Sequence, residues 1–217
     1  MSNIPPTVLD VFNELKTEII WLHARWQIYE QLYGRSKKRI DLLNEAASFF
    51  FYVVQDVLLG EAQISLSKLA DPAQSRSHDN LSLEQLHARV IAVGPPTLAA
   101  ALRQILDRLK AKCTPFRLRR NKRLAHLDLT TAMQPSLNPL PGISVQMINE
   151  ALEDVRAYVN EIERHFDDSE TAYEHFGTHS DADALLEWVK RGLRYEELER
   201  SGAIHWGDYR QSGRHDA

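Results

Sequence analysis

A single cysteine, Cys113, stands in 217 residues, which excludes a disulfide framework within the chain and fits a reducing compartment. Nine glycines and nine prolines are few for this length, and alternating apolar–polar runs are scarce, so helix is expected rather than sheet. No basic-then-apolar leader opens the chain, so secretion is not expected and the location is read as cytoplasmic. The longest uncharged apolar run, Ala46 to Gln55, stops at Asp56 and is too short to span a bilayer, so no membrane is expected. Phosphate-cradling glycine motifs and a Gly-x-Ser-x-Gly elbow are missing too.

What is present is ordinary for a folded chain: 43% apolar and 26% charged residues, enough to bury a core without staples. The net charge of −4 hides an asymmetry. Between Arg103 and His126 stand nine basic residues (Arg103, Arg108, Lys110, Lys112, Arg117, Arg119, Arg120, Lys122, Arg123) against one acid, Asp107. On charge alone this reads first as a solvated face pairing with acidic helices of the same chain. Contact with a polyanion is the functional alternative.

Pro5 and Pro6 open a first helix, where a missing N–H costs little. Apolar residues recur at Val8, Phe12, Leu15, Ile19, Leu22, Trp26, Tyr29 and Tyr33, and Gly34 closes the run. Such a stripe packs along another long helix; it reads as core rather than as an aromatic ligand box. A second helix is expected from about Ile40 to Leu69. Its middle, Phe49 to Val54, is apolar all round and predicts the central buried helix of a bundle. Asp56 follows directly, is expected at least partly buried, and then needs a partner such as an arginine. Asp71-Pro72 ends this helix and a polar loop runs through Asn80. Ser82 with Gln85 predicts a capped short helix to Val93, and Leu98 to about Lys112 a fourth. Thr114-Pro115 launches a segment from Phe116 to about Met133. Helices from about Ser144 to Phe166 and from Asp181 to Arg200 follow, separated by a polar linker.

Arg117-Leu118-Arg119-Arg120-Asn121-Lys122-Arg123-Leu124-Ala125-His126-Leu127-Asp128 stands apart. It resembles the signature of the HEPN superfamily of helical nucleic-acid-processing domains, an Arg commonly followed by Asn, Asp or His and then a His after four to six intervening residues. Here Arg120 precedes Asn121, and five residues separate it from His126. The wider Arg-Asn-Lys-x-x-Ala-His-x-Asp looks like the abortive-infection AbiU-type branch. The helix ending in Leu69-Ala70-Asp71-Pro72 and the Ser82-led helix agree with that branch.

The resemblance implies an all-α, HEPN-like helical bundle over residues 5–170 with two long N-terminal helices, then a linker and appended C-terminal helix over 171–202 and a loose tail over 203–217. It also implies metal-independent RNA cleavage, in which a ribose 2′-hydroxyl attacks the neighbouring phosphate to leave a 2′,3′-cyclic phosphate. His126 would act as general base or acid, its imidazole titrating near neutrality. Arg120 would hold the phosphate with its permanently charged fork, and Asn121 would orient the imidazole or contact the phosphate. Arg117, Arg119, Lys122 and Arg123 are the candidate substrate-binding cations, with Asp56 and Asp128 in support. One histidine is too few for two proton transfers, so a homodimer bringing two motif copies together is expected. An antitoxin or defence-complex protein is a further expected partner. No metal and no cofactor are expected.

Helical geometry sets a difficulty. On a regular helix Arg120 and His126 lie about 120° apart, whereas Arg119 lies within about 20° of His126. Three explanations stand open: Arg120 pairs with a buried acid such as Asp56 while Arg119 meets the phosphate; the helix is distorted at the motif; or Arg120 reaches a cleft across a dimer interface. The family pattern favours Arg120 and ideal geometry Arg119.

Two rival functions remain: a non-catalytic HEPN-like dimerisation or RNA-binding module, and a plain nucleic-acid-binding regulator. His175 and His179 share a spacing but lack a third ligand at convincing distance, and Gly177 between them reads as loop. Cys113 lies beside Lys110 and Lys112, which would lower its pKa, yet no His or Asn arrangement marks a nucleophile.

Overall fold

The structure is a computed structural model and describes residues 2–75, 77–177 and 179–205. The fold is all-α, with eight α-helices and one two-stranded hairpin among the described residues. In chain order these are α1 (Pro6–Tyr29), α2 (Lys37–Leu69), the hairpin β1 (Gln74–Ser75) and β2 (His78–Asp79), α3 (Leu83–Val93), α4 (Pro96–Lys112), α5 (Thr114–Arg119), α6 (Leu129–Met133), α7 (Val145–Asp167) and α8 (Ala182–Arg200). Two π-helical turns interrupt the pattern, at Glu30–Gly34 and Arg120–Leu124. The expected loop after Asp71 therefore contains a short hairpin, and the expected segment from Phe116 to Met133 is broken into α5, a π turn and α6.

The chain forms two compact units, residues up to 27 with 56–176, and residues 28–55 with the described residues from 177 on. In the first, the α1 stripe predicted by spacing is buried from Val8 to Trp26. It meets α7 through Trp26 on Asn149, Lys16 on Glu163 and Arg156 on His23. α7 contributes Ile148, Leu152, Val155, Val159 and Ile162, all buried, and α4 contributes Leu98, Leu102, Leu106 and Leu109. Each fully buried aliphatic side chain stabilises the unit by about 2 kcal/mol. Serine caps start two of these helices as the sequence predicts, Ser82 accepting from the Gln85 N–H and Ser144 from the Met147 N–H. The polar segment after α7 is not simply solvated: Tyr173 is buried, and its hydroxyl donates to Glu163.

The second unit has its own small core of Leu32, Leu43, Phe51, Ala182 and Leu186. Asp181 caps α8 by accepting from the Asp183 and Ala184 N–H groups, and the Gln31 amide donates to its other oxygen. Arg35 and Arg39 both pair with Asp183.

One expectation for the second helix is corrected. Its aromatic stretch is not a buried centre: Phe51 points into the small core, but Phe49, Phe50 and Tyr52 are 78%, 59% and 67% exposed, and Val53 is exposed as well. A run apolar on every side can bury only the side that meets a neighbour, and here that is the Phe51 side. The helical geometry also breaks at Ala47 (φ −163°, ψ 70°). By length and composition alone, α2 is long and apolar enough to cross a membrane, with 11% of that stretch buried. Of the expected tail over 203–217, residues 206–217 lie outside the described residues.

Candidate functional site

The site begins where α4 ends. Cys113 is buried, its thiol directed at the Leu66 carbonyl 3.6 Å away, and burial pushes its pKa up to about 12 against the lowering by Arg117 and Lys112. The neighbouring lysines therefore do not activate it. Thr114-Pro115 restarts the helix, because proline in a first turn lacks only an N–H that would be unpaired anyway. Phe116 is wholly buried and anchors α5 in the first unit.

At Arg120 the α-helical ladder widens into a π turn, with the Ala125 N–H donating to the Arg120 carbonyl at 2.8 Å. π turns of this kind recur at functional sites. The helix then stops. His126 and Leu127 run as non-helical chain, and Asp128 caps α6 by accepting from the Thr131 N–H (2.9 Å) and hydroxyl (2.8 Å). Helical-wheel angles between Arg120 and His126 thus have no physical basis here.

Distortion of the helix, one of the three explanations open from sequence, is what is found. Pairing of Arg120 with an acid is also found, but the acid is Asp71 and not Asp56. One Arg120 Nη1–H donates to Asp71 Oδ2 at 2.8 Å, and its Nε–H donates to Asn121 Oδ1 at 3.2 Å. Arg117 meets the other oxygen of the same carboxylate at 3.3 Å. Asp71 is the second residue beyond α2, so the end of one helix clamps the motif of another. Asp56 corrects the sequence reading: it is exposed, and its only influence on the site is at range, favouring the charged form of Arg119.

Arg119 turns to different partners. Its Nε–H donates to Gln63 Oε1 at 3.0 Å and its Nη1–H to the Pro141 carbonyl at 3.2 Å. Burial lowers its pKa, with Arg123 adding to the effect. Lys122 pairs with Asp128 at 2.8 Å, and that lysine, with the Thr131 N–H, holds the Asp128 carboxyl down at about 2.

Of the nine basic residues, seven are paired with carboxylates of this chain: Arg103 and Lys110 with Glu84, Arg108 and Lys112 with Asp154, Arg117 and Arg120 with Asp71, Lys122 with Asp128. Among the described residues Arg119 and Arg123 have no such partner. Both, with Lys122, line a cavity of about 430 Å³ whose lining also includes Leu127, Leu140 and Asn138. The His126 ring is exposed, and among the described residues no hydrogen bond or ion pair reaches it. The structure thus joins Arg117, Arg120 and Asn121 around Asp71, and places Arg119, Lys122 and Arg123 around the cavity. It leaves His126 exposed on the non-helical chain that follows the π turn. Among the described residues no group of three or more His, Cys, Asp or Glu is placed to hold a metal ion.

Sequence reasoning missed Asp71 and Gln63 as partners of the motif. Asp71 carried a signal only as a helix-ending Asp-Pro pair; Gln63, in the C-terminal part of α2, carried none.

An all-helical chain with an Arg-Asn pair at a distorted helix end, a free histidine six residues beyond the Arg and an acid clamping that Arg is a HEPN-type domain. The AbiU2 family model of the HEPN group matches residues 6–185, and the chain belongs to that family. No curated protein and no solved structure matches it.

Proposed function

We propose that this protein is a metal-independent endoribonuclease of a toxin or phage-defence kind, acting in the cytoplasm as a homodimer. The observation that carries the reading is an exposed His126 ring six residues after an Arg120 already held in place. A guanidinium has five N–H donors. Asp71 and Asn121 engage two of Arg120's, which fixes its plane and leaves the others for a phosphate. In the reaction a neutral His126 takes the proton of the ribose 2′-hydroxyl as that oxygen bonds to phosphorus. The bond from phosphorus to the 5′-oxygen breaks, and the leaving oxygen takes a proton from a second imidazole in the charged form. The second copy of the motif in the dimer supplies that imidazole. Arg120 opposes the charge that gathers on the phosphate oxygens in between.

The rival reading is a non-catalytic RNA-binding or dimerisation module in a defence or toxin–antitoxin complex. One observation favours it: no hydrogen bond links His126 to Arg120 or Asn121.

The test is incubation with total cellular RNA in excess EDTA, wild type beside His126→Ala and Arg120→Ala, with analysis of product ends. Cleavage by wild type alone, leaving cyclic phosphates and falling by at least about a hundredfold in His126→Ala, is the expected result. Equal cleavage by all three proteins, or RNA binding with no cleavage by any, would sink the enzyme reading; the second outcome favours the rival.

A further inference from the structure

The cavity beside the motif has a mixed lining. Arg119, Lys122 and Arg123 supply cations, with no carboxylate of this chain paired with Arg119 or Arg123 among the described residues; Leu127 and Leu140 supply apolar surface, and Asn138 an amide. A bare anion would need only the cations. Cations and apolar side chains lining about 430 Å³, above the lower limit of about 300 Å³ for small-ligand sites, suit a ligand that carries both a phosphate and a flat ring. We propose that this cavity seats one nucleotide of the RNA chain, the one next to the phosphate met by His126, with its phosphate on Arg119 and Arg123 and its base against Leu127 and Leu140.

Chain order supports the placement. Leu127, which lines the cavity, directly follows His126 on non-helical backbone. A nucleotide in the cavity is therefore held by the residue next to His126 in the chain. Asn138 has polar capacity to spare: its amide makes only a 3.4 Å contact, Nδ2–H to the Gln134 carbonyl, which leaves the amide oxygen and one N–H to read a base edge. Its identity as the neighbour of a scissile phosphate rests on the ribonuclease reading; the binding does not.

Binding is measured with a fluorescent 2′-O-methyl RNA heptamer, which lacks the attacking hydroxyl and cannot be cut. Ala132→Trp, at an exposed cavity-lining position, fills the space without changing a charge, and Asn138→Ala removes the amide; thermal midpoints check that both fold. The expected result is heptamer affinity weakened by about tenfold or more in Ala132→Trp, a changed base preference in Asn138→Ala, and displacement by nucleoside monophosphates at concentrations at least about tenfold below those of inorganic phosphate. Three results overturn the proposal: wild-type heptamer affinity in both variants, equal competition by inorganic phosphate, or mononucleotide binding that depends on the cavity while the heptamer's does not. The last would mark a free-nucleotide site. Cavity-dependent heptamer binding without any cleavage of total RNA would leave this site standing and remove the ribonuclease. Cleavage at unchanged sites and rates in Ala132→Trp would do the reverse.

Discussion

Arg120 and Asp71 form an ion pair at 2.8 Å, both about one-fifth exposed, across a separation of 49 residues in the chain. The same carboxylate holds Arg117. The acid beyond the end of α2 thus fixes two arginines of the motif at once.

Asp71→Asn keeps the shape and removes the charge. Because the pair is only partly shielded, the expected stability loss is about 1–2 kcal/mol, read from urea denaturation. Within the ribonuclease reading, cleavage falls by about tenfold through kcat while KM changes little, because Arg120 is still present but no longer aimed. A cycle with Arg120→Ala separates positioning from general destabilisation. Additive effects of the two substitutions on kcat would show that the pair is merely structural.

The exposed aromatics of α2 give a second expectation. An apolar patch of this kind on a folded chain marks an association surface, and it suits the homodimer proposed for the enzyme. The double substitution Phe49→Ser, Phe50→Ser is expected to convert a dimer to a monomer in sedimentation velocity while leaving chain stability within about 0.5 kcal/mol, since both side chains already face solvent. A dimer that persists in this variant would place the contact elsewhere.

His23 ties stability to pH. It is a buried residue of α1 directed at α7, with Nδ1 on the Ile19 carbonyl, Nε2 facing Arg156, Glu174 nearby and the Tyr173 ring 6.2 Å away. Burial, reinforced by Arg156, lowers its pKa from 6.5 to about 4. The ring is therefore neutral in the folded chain, Nδ1–H donating and Nε2 accepting. Between pH 6.5 and about 4 the unfolded chain takes up a proton that the folded chain refuses. Stability contributed above pH 6.5 is lost as pH falls through that window, by about 3 kcal/mol in all. A Tm series from pH 7 to 4.5 should fall more steeply for wild type than for His23→Gln; matching slopes would refute it.

The sequence makes the periodic elements legible and hides the places where periodicity stops. The α1 stripe, the serine caps at Ser82 and Ser144 and the inward faces of α4 and α7 follow from spacing alone, because each side chain there is placed by its own helix. Phe49 to Val54 misled because composition measures how apolar a run is, not which neighbour covers it. The π turn at Arg120 leaves no mark in residue types. Asp56 is the acid that adjoins an apolar run, but Asp71, beyond a helix end and 49 residues from Arg120, is the one that pairs with it. Local pattern names the motif residues; their partners are a property of tertiary packing.

The pairing of the basic stretch changes what an approaching polyanion meets. Counted along the chain, nine cations suggest a strong field felt at long range. Seven of them share five carboxylates of the same chain at 3.3 Å or less, with Glu84, Asp154 and Asp71 each holding two cations. More than half of the charge is thus offset within the chain, and beyond a Debye length of about 8 Å in physiological salt little of the remainder is felt. The stretch therefore acts at contact more than as a lure. Within the RNA-binding reading, recognition depends on fit at Arg119 and Arg123, with a weaker dependence on ionic strength than nine free cations would give.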